Sequence, residues 1–135
     1  MTQPSFLAAS LYVALGGGIG AWLRFLVGRG YSAWLGPVRA SAFPWGTLTV
    51  NVLGSLAMGL LVGWLARSSE AAMAGEPARL LLGVGLLGGF TTFSAFSLEI
   101  VMLAQRGQIG VAALYAGVSL LAGVAALALG LMVAR

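Results

Sequence analysis

No charged side chain occurs from Met1 to Leu23, from Ala40 to Ala66, from Leu80 to Leu98, or from Gly107 to Ala134. Each gap supplies about 20 residues, and about 20 apolar residues in a helix rising 1.5 Å apiece cross a ~30 Å hydrocarbon layer. The gaps predict four membrane helices near Phe6–Val27, Pro44–Ala66, Arg79–Ala104 and Gly110–Ala134. Between them fall Gly28–Phe43 with its Gly, Ser and Pro residues, Arg67–Pro77 with two of the three glutamates, and a tight polar turn, Gln105–Gln108, around Gly107. With 7% charged residues and a mean hydropathy of +1.01, the chain could not cover a water-facing surface. The fold class is therefore all-α and polytopic in lipid. Residues 1–135 read as one four-helix domain, because no linker or repeat period divides them. The N-terminus carries no basic stretch of the kind that opens a cleaved signal peptide.

The residues that are missing narrow the function. His and Cys are absent, which removes Ser-His-Asp and Cys-His nucleophiles, thiolate metal sites and disulfides. Three carboxylates leave little for paired acid–base work. No enzyme activity is expected. The seven arginines are scattered singly, so the sequence pI of 10.8 reflects scarce acids rather than a nucleic-acid surface.

Orientation is close to balanced. Alternating helices put Arg67, Arg79 and Arg135 on one face. Arg29 and Arg39 fall on the other with Arg106, joined by Arg24 if it reaches that surface. The positive-inside rule does not choose between these faces. One explanation is insertion both ways, with copies pairing antiparallel about a two-fold axis in the membrane plane. Gly16 and Gly20, Gly59 and Gly63, and Gly85 and Gly89 form small-residue stripes of the kind that brings helix backbones together in lipid.

The polar residues inside the spans are few. Thr47, Asn51 and Ser55 share one face of the second helix at spacing four. They serve either as hydrogen-bonding glue between helices or as the lining of a wetted groove. Gly88-Gly89 followed by Thr91-Thr92 predicts a break in the third helix over Gly88 to Thr92, since Gly is a poor helix-interior residue and Thr competes for backbone hydrogen bonds. Backbone freed at that depth must be buried in protein or serve an ion or cavity. On a dimer axis, such carbonyls would suit a small hard cation such as Na⁺. Phe93 and Phe96 lie three apart; rings at that spacing are most often core, but beside a polar stripe their electropositive edges can face an anion. Tyr115 and Ser119 add hydroxyls on the fourth helix. Arg24 and Glu99 lie toward the same end of their helices, where they form either an interfacial ion pair or the mouth of a vestibule.

Three runs in order carry a family likeness: Gly17-Gly18-Ile19-Gly20-Ala21-Trp22-Leu23-Arg24-Phe25, Gly46-Thr47-Leu48-Thr49-Val50-Asn51-Val52-Leu53-Gly54-Ser55 and Gly88-Gly89-Phe90-Thr91-Thr92-Phe93-Ser94-Ala95-Phe96-Ser97. The chain resembles the Fluc/CrcB family of fluoride channels across all four helices. The resemblance implies a dual-topology antiparallel homodimer in the bacterial inner membrane, with two fluoride pores built from both subunits. It implies that Asn51 donates to fluoride, that Phe93 and Phe96 present ring edges, and that Thr47, Tyr115 and Ser119 continue the polar track. It further implies a structural Na⁺ held by the backbone carbonyls of Gly88 and Thr91, and passive export of cytoplasmic fluoride. Ala95 and Gly123 depart from hydroxyl residues found in other members and thin the track. Two other readings compete. A small multidrug exporter would need a carboxylate in the first helix, which is absent. A non-transporting assembly protein would leave the polar stripe and the Gly-Gly-Phe-Thr-Thr-Phe run unexplained.

Overall fold

The computed structural model describes residues 3–67 and 75–134. Four helices in it are long and apolar enough to cross a membrane: Phe6–Ala42, Trp45–Arg67, Gly75–Gln105 and Ile109–Ala134. The first is α1 (Phe6–Ala42), opened by Ser5, whose hydroxyl accepts from the Ala8 N–H at 3.3 Å. The second is α2 (Trp45–Arg67). The third is composite. A π-helical stretch, α3 (Arg79–Leu87), runs into one turn of α-helix, α4 (Gly88–Phe90). Thr91 and Thr92 are extended, and α5 (Phe93–Gln105) follows. The last helix is α6 (Ile109–Ala134). Residues 68–74, with Glu70, and Arg135 lie outside the described residues.

Two expectations are corrected. Gly28–Phe43 is not a loop: helix continues from Val27 to Ala42 with one interruption, at Gly36 (φ 76°, ψ 159°). Its glycines were read as breakers, but Gly costs a helix only about 1 kcal/mol relative to Ala. Here the Ser32 hydroxyl donates back to the Gly28 carbonyl at 3.1 Å, and the Tyr31 hydroxyl shares a 2.9 Å hydrogen bond with Thr49 Oγ1 of α2. The turn comes where Gly36 takes a left-handed φ and Pro37, lacking an N–H, starts a new helical segment without losing a bond. The second correction concerns the start of the third span. Residues 75–78 are already helical, so Pro77 lies within helix rather than in the preceding loop. The turn around Gly107 is as expected. Gly107 (φ 77°) follows α5, its N–H reaches the Ala104 carbonyl, and the Gln108 N–H reaches the Leu103 carbonyl, the paired closure of a Schellman motif.

Packing follows the glycines. α1 lies along α3 and α4, α2 lies along α6, and α5 packs on α6. A Cβ placed on Gly16 would strike the Leu81 carbonyl oxygen; one on Gly20 would strike that of Leu86. Gly89 meets the Gly17 carbonyl in the same way, and Gly59 and Gly130 let α2 and α6 touch through their backbones. Such approach is what small residues supply where solvent exclusion cannot drive association. The buried apolar core is small. Leu103, Ala112 and Tyr115 form its centre, with Phe43, Leu48 and Phe96 packed around them. Phe6, Leu15, Trp22, Phe25, Leu121 and Met132 all face outward, an arrangement suited to lipid and unfavourable in water.

Candidate functional site

The site grows from the two extended residues between α4 and α5. In an unbroken α-helix the Thr92 N–H would bond the Gly88 carbonyl, and the Ala95 N–H would bond that of Thr91. Both donors are diverted. The Thr92 N–H donates to Asn51 Oδ1 at 2.8 Å, and Asn51 Nδ2 donates back to the Thr92 carbonyl at 3.0 Å. The Ala95 N–H donates to the Thr92 hydroxyl oxygen at 3.2 Å, which makes Thr92 the N-cap of α5. The Thr91 hydroxyl and N–H both turn back to the Leu87 carbonyl, at 2.8 and 3.0 Å. Gly88 itself keeps helical angles (φ −63°, ψ −38°), and its N–H bonds the Gly83 and Gly85 carbonyls. The extended backbone is therefore confined to the threonines, a narrower stretch than the Gly88–Thr92 run expected from glycine content.

Asn51 thus clamps Thr92 at two points. A carboxamide has two N–H donors, and one of them is committed to the Thr92 carbonyl. One turn earlier on α2, the Thr47 hydroxyl donates to Glu99 Oε1 at 2.7 Å. The Tyr115 hydroxyl of α6 donates to Glu99 Oε2 at the same distance. One carboxylate therefore ties α2, α5 and α6 together. Tyr115 is 0% exposed. Its ring packs edge-on to Phe43, with centroids 5.5 Å apart, and lies 5.3 Å from Phe96. Phe96 and Phe93 are 5.8 Å apart. Their burial differs sharply: Phe96 joins the core, whereas Phe93 is 80% exposed on the outer face of α5.

Two clefts meet at this cluster. One, of about 280 Å³, is lined by Asn51, Ser55, Met58, Thr91, Thr92 and Phe93 among others, none of them charged. The second, of about 360 Å³, includes Arg24, Tyr31, Thr47, Thr92, Ala95 and Glu99 in its wall. Arg24 and Glu99 face the same cavity without pairing; the one ion pair among the described residues joins Arg79 to Glu76 at 2.8 Å. Ser119 is 9% exposed, and its hydroxyl meets no hydrogen-bond partner among the described residues. A polar atom buried that way costs about 1–3 kcal/mol unless something outside the chain satisfies it. At Gly123 an added Cβ would come no closer than 3.6 Å to Ser55 Oγ, so the missing side chain leaves room beside the cleft.

The site residues named from sequence therefore divide. Thr47, Tyr115 and Glu99 form one hydrogen-bonded cluster, with Phe96 against it. Asn51, Thr91 and Phe93 share the neutral cleft, and Gly88 sits one turn before Thr91. Thr47 and Asn51 do join helices, as glue would, and they also line cavities. Thr92 was missed as a functional residue although a signal was present, since a Thr immediately before an apolar helical run is an N-cap pattern. Among the described residues no group of three His, Cys, Asp or Glu side chains could hold a metal.

Comparison with known proteins covers nearly the whole chain. The sequence profile described as CrcB-like protein, Camphor Resistance (CrcB), matches residues 11–131. A protein of Novosphingobium aromaticivorans named fluoride-specific ion channel FluC is 60% identical over 129 residues, covering 96% of this chain and 98% of its own length. Proteins of the same name from Erythrobacter litoralis and Hyphomonas neptunium are 52% and 56% identical. They cover 96% and 93% of this chain, and 93% and 94% of their own lengths.

Proposed function

Because this chain belongs to the CrcB-like family of multi-pass membrane proteins, we propose that it is a passive, fluoride-selective ion channel. The observation that carries this reading is the neutral cleft in which Asn51, Thr92 and the outward-facing Phe93 come together. An ion leaving water must be met by groups that replace its hydration without holding it. Amide N–H groups, hydroxyls and phenyl edges are all positive at the point of contact and carry no net charge. The committed N–H of Asn51 fixes the amide plane, so its other N–H points to a defined place. The unpartnered Ser119 hydroxyl is a further donor of the same class. Arg24 at the second cavity raises the local concentration of anions. It makes no ion pair with Glu99.

In this reading the working unit is an antiparallel homodimer inserted in both orientations. Each protomer supplies the outer wall that Phe93 presents and covers its partner's cleft, which gives two pores. The protein would sit in a bacterial inner membrane and export cytoplasmic fluoride down its gradient. A structural Na⁺ also fits the residues present. The N–H groups that helix geometry would assign to the Gly88 and Thr91 carbonyls are bonded elsewhere, leaving two neutral oxygens of the kind that hard cations accept. The ion would supply a fixed positive charge and cross-link the break, with no role as a transported species.

Fluoride efflux from proteoliposomes, followed with a fluoride electrode, tests the assignment. The expected result is passive fluoride loss without comparable chloride loss and without a proton gradient. Verified dimers that pass no fluoride would falsify the channel reading. Coupling of flux to protons would favour an exporter instead.

A further inference from the structure

We infer that the Asn51 carboxamide and the Thr92 hydroxyl are a pair of positioning groups that free the Gly88 and Thr91 carbonyls to bind a cation. This rests on the cation site proposed above and assigns its construction to two side chains that would not themselves touch the ion. A helix carbonyl is most open to a ligand when its usual donor, four residues on, is occupied elsewhere. Asn51 Oδ1 occupies the Thr92 N–H, the donor owed to Gly88, and Thr92 Oγ1 occupies the Ala95 N–H, the donor owed to Thr91. The return bond from Asn51 Nδ2 to the Thr92 carbonyl prevents the peptide from turning away. Thr91 (φ −81°, ψ 160°) and Thr92 (φ −152°, ψ 124°) are extended where these bonds form, as an N-cap residue typically is. Asn51 then has two duties at once. Its Oδ1 and one N–H hold the break, and the other N–H is left for the cleft, so the anion path and the cation site share a residue.

Removing either group lets a donor return to its carbonyl. The apparent affinity for the cation then falls by the fraction of time the carbonyl stays free. The test is a Na⁺ titration of the melting temperature of the purified full-length protein, in fluoride-free detergent solution with N-methylglucamine holding ionic strength constant. Na⁺ should raise Tm in the wild-type protein. For Asn51→Ala and Thr92→Ala the midpoint of that rise should move about tenfold or more to higher Na⁺. For Thr92→Ser, which keeps the acceptor oxygen, it should stay within about threefold of wild type. Phe93→Ile, which lies in the anion path but outside this pair, should keep the wild-type midpoint. A merely structural role lowers Tm equally at every Na⁺ concentration, and unchanged midpoints in both alanine variants would overturn the inference while leaving the channel assignment intact. Should Asn51→Ala fail to assemble, the Thr92→Ala and Thr92→Ser pair decides alone. A wild-type protein indifferent to Na⁺ removes the cation site itself, and the inference with it, whatever the fluoride efflux shows.

Discussion

Phe93 and Phe96 are chemically identical and one helical turn apart, yet they have different surroundings. Phe96 packs on Tyr115 in the core, while Phe93 is open on the chain's outer face. A substitution therefore probes different things at the two sites. Phe93→Ile should cut fluoride flux about tenfold or more, equivalent to about 1.4 kcal/mol on the barrier, with a smaller loss of stability than at the buried ring, since it gives up only the pair with Phe96. Phe96→Ile should also cut flux and in addition cost about 0.5–1.5 kcal/mol from the lost aromatic pair. Flux in proteoliposomes, read beside dimer retention on size exclusion and thermal melting in detergent, checks both. Near-normal flux in both variants would return the rings to simple packing. At this scale the sequence carried much of the site's membership, because an Asn, a Tyr and a Glu within apolar spans are conspicuous. It did not carry their pairing. Spacing put Thr47 and Asn51 on one face, but nothing in a one-dimensional pattern says that the first bonds a carboxylate and the second a backbone. Glu99 accepts from α2 and α6 together, an arrangement set by where the helices cross.

The elements are held by close backbone approach, and glycines of identical propensity therefore differ in consequence. At Gly20 a Cβ would meet the Leu86 carbonyl and the Phe90 N–H, both backbone atoms that cannot rotate aside. At Gly18 nothing lies within 4 Å. Gly20→Ala should force α1 away from α3 and α4 and destabilise the protein by about 1–3 kcal/mol. Gly18→Ala should be neutral or stabilising by up to about 1 kcal/mol. Thermal unfolding of the two variants in the same detergent compares them directly, and equal effects would contradict backbone packing as the basis of the stripe. The element boundaries were legible where charge ends a span, as at Arg106. They were misread at Gly28 and Gly30, because glycine marks a turn only when the chain needs a left-handed φ. Here that requirement falls at Gly36, ahead of a proline. The π-helical winding of Arg79–Leu87 has no sequence signature of its own; within it Gly85 lies against the α1 backbone while Gly83 faces Leu61 and Met58 of α2.

For the molecule as a whole, the near balance of arginines between the two faces gives insertion no strong direction. Single cysteines introduced at Gln108 and at Gln3, in a chain that has none, should each label from either side of sealed membranes in comparable proportion. Labelling of each site from one side only would exclude insertion in both orientations. The large apolar outer face and the small internal core argue for a partner or lipid against most of the surface, a property that hydropathy alone made readable. The route through that surface was not readable, because it depends on cavities. The cavity bounded by Arg24 near one end and by Thr92 beside the helix interruption has an electrical consequence. Wherever water fills it, the bulk potential reaches inward to the threonines. The transmembrane voltage then drops across only the remaining insulated stretch, and a passing ion feels a steeper field over a shorter distance than the bilayer thickness alone would give it.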